Sequence, residues 1–113
     1  MTGITTHVLD TALGRPAVGM PVLLERQAAG DTWTEVGRGV TDSAGRCANL
    51  YGRRALARGV HRLTFDTSTH YYATETATFF PAIYIVFVVD NTGEHFHVPL
   101  LLSPFGYTTY RGA

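Results

Sequence analysis

Apolar and polar residues alternate along much of this chain, in short runs separated by turn-forming residues. A period of two is typical of β-strands that bury one face. The runs with this character are residues 4–9, 21–26, 32–40, 60–65, 82–89, 95–102 and 107–111. These seven runs, with residues 50–57 as a possible eighth strand, predict a single all-β domain over residues 1–113, either a sandwich or a barrel.

Local signals predict how some of these strands are connected. Asp66 begins a typical helix N-cap sequence, so one or two helical turns are expected at 68–74. Residues 50–57 fit either a short strand or a short helix. Residues 82–89 are dense in β-branched and aromatic side chains, which favours a central strand. The turn at 91–93 then predicts that 95–102 pairs with that strand as a hairpin.

Two strands carry histidines on the face opposite their apolar set. In residues 4–9 and 95–102 the even-numbered positions form the set expected to face the core, and the histidines fall on odd numbers. An outer face that mixes histidine with leucine predicts partial burial by another subunit. These outer faces carry His7 with Leu9 and His97 with Leu101.

Charge and cysteine content exclude several classes of protein. Lys plus Arg and Asp plus Glu number 9 each, so there is no electrostatic footprint for nucleic acid or an anionic membrane. Cys47 is the only cysteine, which excludes an internal disulfide and fits a reducing compartment. The first residues lack signal-peptide features, and the longest apolar run, 82–89, is too short to span a bilayer. We therefore expect a cytoplasmic protein.

Three segments together resemble one family. They read TTHVLDTALGRPA at 5–17, TDSAGRC at 41–47, and HVPLLLSP at 97–104 running to YTTYRGA at 107–113. The chain resembles the 5-hydroxyisourate hydrolase family, the enzyme branch of the transthyretin-related proteins, over essentially its whole length. The resemblance implies a transthyretin-like β-sandwich of two four-stranded antiparallel sheets with one short helix. It also implies a homotetramer, a dimer of dimers with active sites in the channel between dimers.

The implied reaction opens a ring of 5-hydroxyisourate, the product of urate oxidation, without a cofactor. Water attacks an imide-like carbonyl and the N–C bond breaks, giving 2-oxo-4-hydroxy-4-carboxy-5-ureidoimidazoline. Such hydrolysis needs an activated water, a stabilised oxyanion and a proton for the leaving nitrogen. Histidine suits proton transfer because its ordinary pKa lies near neutrality.

The resemblance assigns the catalytic residues His7, Arg46 and His97. The two histidines would activate water and transfer protons, and which one is the base stays open. Arg46 would hold the planar oxygens of the substrate and the oxyanion by paired hydrogen bonds. His7 and Arg46 are also expected to bind substrate.

The C-terminal tail completes the implied site. Tyr110 is expected to contact the substrate, and Arg111, Gly112 and Ala113 to support the site. Arg111 would pack at a subunit interface or orient the tail. The family tail usually ends in Ser, so Ala113 removes a hydroxyl group that stands near the site.

The remaining candidates have weaker signals. His95 and His97 have the spacing of a metal pair on a strand, but no carboxylate or Cys cluster completes it, so we expect neither a metal nor another cofactor. His61 and His70 are expected on the surface. Cys47 is not expected to act as a nucleophile, since this hydrolysis needs no covalent step.

Two other functions fit the same fold. One is a non-catalytic transthyretin-type carrier of a small ligand, and the other is a β-sandwich interaction module. A carrier function does not explain why His7, Arg46 and His97 occur together with the C-terminal segment Tyr110–Gly112. The module reading leaves titratable side chains on faces that assembly would bury, which is costly without a function.

Overall fold

The computed structural model describes residues 3–113, which form two packed β-sheets and one short helix. The elements in chain order are β1 (Gly3–Asp10), β2 (Arg15–Pro16), β3 (Pro21–Gln27), β4 (Trp33–Val40), β5 (Arg46–Cys47), β6 (Gly59–Phe65), α1 (Thr67–Ala73), β7 (Ile83–Val89), β8 (His95–Ser103) and β9 (Gly106–Thr109). A single turn of 3-10 helix, Ala29–Asp31, joins β3 to β4. No helix among residues 3–113 is long and apolar enough to cross a membrane.

The predicted β-sandwich with one short helix is confirmed, although its sheets differ in detail from the implied pair of four-stranded antiparallel sheets. One sheet has the order β4-β3-β6-β7 and is antiparallel throughout. The other contains five strands, with β2-β1-β8-β9 in order and β5 also on β1. β2 and β5 each pair two residues of β1 on the same edge, so five strands occupy four positions. β1 and β8 run parallel.

The predictions for β7 and its pairing with β8 are wrong. β7 is an edge strand of its sheet, and β8 belongs to the other sheet, so they form no hairpin. The residues around 91–93 therefore carry the chain from one sheet to the other. The apolar density of β7 misled the prediction because its outer face is apolar yet exposed in the single chain: Tyr84 is 57%, Val86 58% and Val88 60% exposed.

The alternation of faces in β1 and β8 is confirmed. Phe96, Val98, Leu100 and Leu102 point into the core and are at most 5% exposed, while His95 and His97 are half-buried on the other face. Thr6 faces the same core from β1, and its hydroxyl donates to the carbonyl of Val98 at 2.5 Å. Burying this hydroxyl is tolerated because it has a partner.

The helix is confirmed and begins one residue earlier than predicted. The Asp66 side chain accepts a hydrogen bond from the N–H of Thr69, which satisfies one of the amides that a helix start leaves unpaired. Residues 50–57 form neither a strand nor a helix but a loop of consecutive turns. The burial of Tyr51 against the core orders this loop.

His61 and His70 are buried, which corrects the prediction that they lie on the surface. His61 is fully buried: its Nδ1 lies 3.0 Å from the carbonyl of Gly59 and its Nε2 lies 2.6 Å from the Tyr51 hydroxyl. His70 is 8% exposed, with Nε2 2.7 Å from Asp10 Oδ2. Polar partners from distant segments make this burial possible, and a local pattern does not report them.

Candidate active site

Strand register brings His7 and Arg46 side by side. They are direct partners across β1 and β5, and the next outward residue of β1, Thr5, is opposite His97 on β8. Side chains at these positions share the outer face of the sheet because their inner neighbours, such as Thr6 and Cys47, are buried. The outer face of three adjacent strands therefore carries the predicted catalytic set.

A rigid turn presents Arg46. One carboxylate oxygen of Asp42 accepts from the N–H groups of Ala44 and Arg46, both at 2.9 Å. These N–H donors, together with the nearby Arg46 guanidinium and His7 ring, hold the pKa of Asp42 below its usual value. Gly45 has φ +78°, a conformation that glycine adopts without strain, and its carbonyl accepts from Val8 at 2.7 Å. The turn is thereby tied to β1.

The same turn orients His7. Nε2 of His7 lies 2.9 Å from the carbonyl oxygen of Ala44, which is an acceptor only. Nε2 must therefore carry the hydrogen and donate. In a neutral ring, Nδ1 then has the lone pair and can accept a proton.

His97 is held by β1. Nδ1 of His97 lies 2.8 Å from the Thr5 hydroxyl. Burial, and then the nearby His7, His95 and Arg46, lower the pKa of His97 below its usual value, and a hydrogen bond to the Thr5 backbone offsets this only in part. His97 is accordingly a neutral imidazole at pH 7, and its Nε2 is the atom left for a ligand.

The C-terminal tail runs back against β8 and reaches His97. Gly112 pairs with His97 in an isolated antiparallel bridge, and its N–H donates to the His97 carbonyl at 2.8 Å. Arg111 lies with its guanidinium 4.6 Å from the centre of the Phe96 ring and 3.2 Å from a carboxylate oxygen of Glu94. These contacts fix the path of the last residues.

Tyr110 borders a groove of about 320 Å³ between the tail and β7, which His97 also lines. The tyrosine ring is 56% exposed. His7 and Arg46 do not line this groove, and Ala113 is exposed. The structure thus brings His7, Arg46, His97 and Gly112 together on one face, and it places Tyr110 beside His97 only.

Thr5 was not singled out from the sequence, and His95 was considered there only as one half of a possible metal pair. Thr5 and His95 lie next to His97, with the Thr5 hydroxyl 2.9 Å from Nε2 of His95. The alternation of faces already put Thr5 with His7, and His95 with His97. The contact between Thr5 and the two histidines depends on the register of β1 against β8, and no local sequence pattern predicts that register.

Other chemistry finds little support among the described residues. Residues 3–113 contain no group of three or more His, Cys, Asp and Glu side chains that could hold a metal ion. Cys47 is buried, and burial, reinforced by the negative charge of Asp42, raises the pKa of its thiol. A thiol with a raised pKa is a poor nucleophile at neutral pH, which agrees with the prediction for Cys47.

Fold and site together define a transthyretin-like β-sandwich that carries a histidine and arginine cluster on one outer face. The model of the HIUase/Transthyretin family matches residues 4–112. The chain belongs to this family.

Similar proteins include enzymes from bacteria and animals. A 5-hydroxyisourate hydrolase of Salmonella typhimurium is 43% identical over 110 residues, covering 97% of this chain and 80% of the relative. A 5-hydroxyisourate hydrolase of Mus musculus is 41% identical over 111 residues, covering 97% and 94%.

Solved structures of both an enzyme and a transthyretin share the fold. The 5-hydroxyisourate hydrolase of Klebsiella pneumoniae superposes with a TM-score of 0.85 at 34% identity, covering all of both chains. Sea bream transthyretin in complex with thyroxine gives a TM-score of 0.91 at 31% identity, covering 97% and 94%. The fold therefore does not separate the two activities, and the site must do so.

Proposed function

We propose that this protein is a cofactor-independent hydrolase that converts 5-hydroxyisourate to 2-oxo-4-hydroxy-4-carboxy-5-ureidoimidazoline in urate degradation. The observation that carries the proposal is the placement of His7, Arg46 and His97 on one outer face, with the tail folded back to His97. The family and the activities of the relatives from Salmonella typhimurium and Mus musculus support it.

In the proposed mechanism His7 is the general base. The Ala44 carbonyl holds its Nε2–H, so Nδ1 takes a proton from water while the water oxygen attacks the ring carbonyl carbon. The resulting imidazolium keeps its bond to Ala44 and returns the proton to the leaving nitrogen as the N–C bond breaks. The carboxylate of Asp42, close enough to be influenced by His7, favours the transient positive charge.

Arg46 and His97 would stabilise the oxyanion. Arg46 offers a planar fork of donors, which matches paired oxygens of a flat heterocycle. His97 is neutral at pH 7 because its pKa is lowered, so its one N–H group can donate a hydrogen bond to the oxyanion while the ring itself stays uncharged. Tyr110, on the adjoining groove, would contact the ring of the substrate, with Arg111 and Gly112 holding the tail and Ala113 beside them.

The active form we propose is a homotetramer, a dimer of dimers. β7 and β9 end their sheets among residues 3–113, and an unpaired strand edge is a template for pairing with another copy. The exposed apolar row Tyr84, Val86 and Val88 lies on β7. The open face with His7 and His97 would gain its second wall from another dimer, which would exclude water from the reaction. With its single cysteine, Cys47, the protein suits the cytoplasm.

A second candidate is a transthyretin-type carrier of a small ligand. The TM-score of 0.91 to sea bream transthyretin supports this alternative. A carrier needs shape and apolar contact, however, and gains nothing from a base held by a carbonyl or from Arg46 on a braced turn. The two candidates differ in whether a bound ring compound is consumed.

The test generates 5-hydroxyisourate from urate in place and follows its ultraviolet decay with and without the protein. We expect fast decay that exhaustive chelation leaves unchanged. Decay at the spontaneous rate, together with stoichiometric binding of the compound, would favour the carrier. Activity that is lost on chelation and returns only with a divalent metal would contradict the proposed chemistry.

A further inference from the structure

The hydroxyl group of Thr5 is shared by two histidines. Its Oγ1 lies 2.9 Å from Nε2 of His95 and 2.8 Å from Nδ1 of His97. A threonine hydroxyl has one hydrogen, so it can donate to only one of the two rings and must accept from the other. The direction of these two hydrogen bonds decides which nitrogen of His97 carries a hydrogen.

The far nitrogen of His95 determines that direction. Nδ1 of His95 is buried and has no hydrogen-bond partner within residues 3–113. A buried N–H group without an acceptor is among the rarest and costliest features of a folded protein, whereas a bare lone pair is better tolerated. Nδ1 of His95 therefore carries the lone pair and Nε2 carries the hydrogen.

The remaining hydrogens follow in order. Nε2–H of His95 donates to the Thr5 hydroxyl, and that hydroxyl donates to Nδ1 of His97. The hydrogen of His97 is then on Nε2. If both hydrogen bonds ran in the opposite direction, Nδ1 of His95 would carry a hydrogen, and that hydrogen would have no acceptor among the described residues.

The same hydrogen bonds, from His95 to Thr5 and from Thr5 to His97, oppose protonation of His97. A doubly protonated His97 would present Nδ1–H to Thr5, which would force the hydroxyl to turn and donate to His95. The nearby His7 and Arg46, from β1 and β5, and His95, from its own strand, also lower the pKa of His97, whereas a hydrogen bond to the Thr5 backbone acts in the opposite sense. Arg111 of the tail is engaged by Glu94.

We propose that Thr5 is a positioning residue whose hydroxyl, oriented by His95, holds His97 as the Nε2–H tautomer and so aims a hydrogen-bond donor at the substrate oxygen. The last clause rests on the proposed function, whereas the tautomer does not. A threonine on the outer face of a strand thereby sets the chemical form of a catalytic ring that it reaches across the sheet.

The first test reads the tautomer directly, by nitrogen-15 NMR of the imidazole rings in the intact protein at pH 7.5. The His97 signals are assigned by their absence in His97→Asn. We expect a protonated Nε2 and an unprotonated Nδ1 in the wild type and in Thr5→Ser, and a mixture of tautomers in Thr5→Val. A protonated Nδ1 in the wild type would overturn the proposal, as would an unchanged spectrum in Thr5→Val.

The second test measures turnover of 5-hydroxyisourate. Thr5→Val should lower kcat by about tenfold with a smaller change in KM, as expected for one hydrogen bond, and Thr5→Ser should restore it. Thr64→Val is the matched control, since the Thr64 hydroxyl is buried without a partner within residues 3–113 and its loss should leave kcat unchanged. Wild-type kcat in Thr5→Val would contradict the catalytic part of the proposal.

The two measurements separate the failures. If the wild type does not hydrolyse 5-hydroxyisourate but shows the expected tautomer, the proposed function is wrong and the role of Thr5 in fixing the ring stands. If the wild type is active but shows the opposite tautomer, the proposed function stands and the role of Thr5 is wrong.

Discussion

Gly112 lies so close to the His97 ring that a Cβ at this position would be 2.7 Å from Cδ2 and 3.3 Å from Cγ. Real side chains do not approach a ring this closely, so a residue other than glycine must push the imidazole or the tail away. The N–H of Gly112 also donates to the carbonyl of the same histidine. The path of the tail and the orientation of His97 are therefore coupled.

This contact makes Gly112→Ala a test of whether the tail sets the geometry of the site. We expect kcat to fall about 10- to 100-fold, because a displacement near 1 Å at a reacting group has effects of this size. Gly106→Ala is the control, since its Cβ would meet only Ser103 Oγ at an ordinary 3.7 Å. Steady-state kinetics and thermal unfolding are compared for both variants. A wild-type kcat in Gly112→Ala would show that the tail does not set the geometry of the active site.

His7→Asn and His97→Asn should each lower kcat by roughly two to four orders of magnitude, the usual effect of losing an acid or base group. Both side chains lie on the outer face, so circular dichroism should show an intact sandwich. His7→Asn keeps a donor for the Ala44 carbonyl, which limits damage to the turn. If both variants turn over substrate at nearly the wild-type rate, this face is not the active site.

Arg46→Lys should reduce kcat/KM far more than conservation of charge suggests. Lysine lacks the planar fork, and loss of a charge-assisted hydrogen bond costs about 2–3 kcal/mol of transition-state binding. Arg38→Lys is the matched control, because Arg38 is exposed on the other sheet and pairs only with Glu35 among the described residues. Equal kcat/KM for the two variants would mean that Arg46 is a solvated surface residue with no part in catalysis.

The lowered pKa of His97 predicts how stability depends on pH. A group whose folded-state pKa is below its unfolded value contributes stability that is complete above about pH 6.5 and is lost as the pH falls towards the folded pKa. The free energy of unfolding of the wild type relative to His97→Asn should therefore decrease between pH 7.5 and 5.5. His61, whose pKa burial also lowers, is present in both proteins and cancels. A difference that stays constant or grows on acidification, in urea melts, would contradict the shift.

The buried pair of Tyr51 and His61 predicts a stability effect far from the site. Gly59 takes the hydrogen on Nδ1 of His61, so Nε2 accepts from the Tyr51 hydroxyl. Tyr51→Phe leaves that nitrogen buried and unpaired, which costs about 1–3 kcal/mol of unfolding free energy. Tyr72→Phe, on an α1 residue that is 88% exposed, should cost much less in the same urea melts. Equal losses in the two variants would mean that the hydrogen bond contributes nothing.

The seven longer strands of the sandwich, and the side-chain faces of β1 and β8, could be predicted from the sequence, whereas the two-residue strands β2 and β5 could not. Alternation with a period of two is a local property, and each core-facing residue of β8 is where the pattern placed it. The helix start at Asp66 was local as well. The motifs around His7, Arg46 and His97 pointed to a family, which the family match confirms.

Only the tertiary structure decided which strands pair, and with that the contacts inside the site. Period two does not distinguish an edge strand from a central one, so the apolar β7 was misplaced and paired with the wrong neighbour. His61 and His70 are buried because Tyr51 and Asp10, distant in sequence, satisfy them. Thr5 reaches His95 across 90 positions through the parallel register of β1 and β8. Alternation is set by each residue and its neighbours, whereas register is set by packing between segments that meet only in the folded chain.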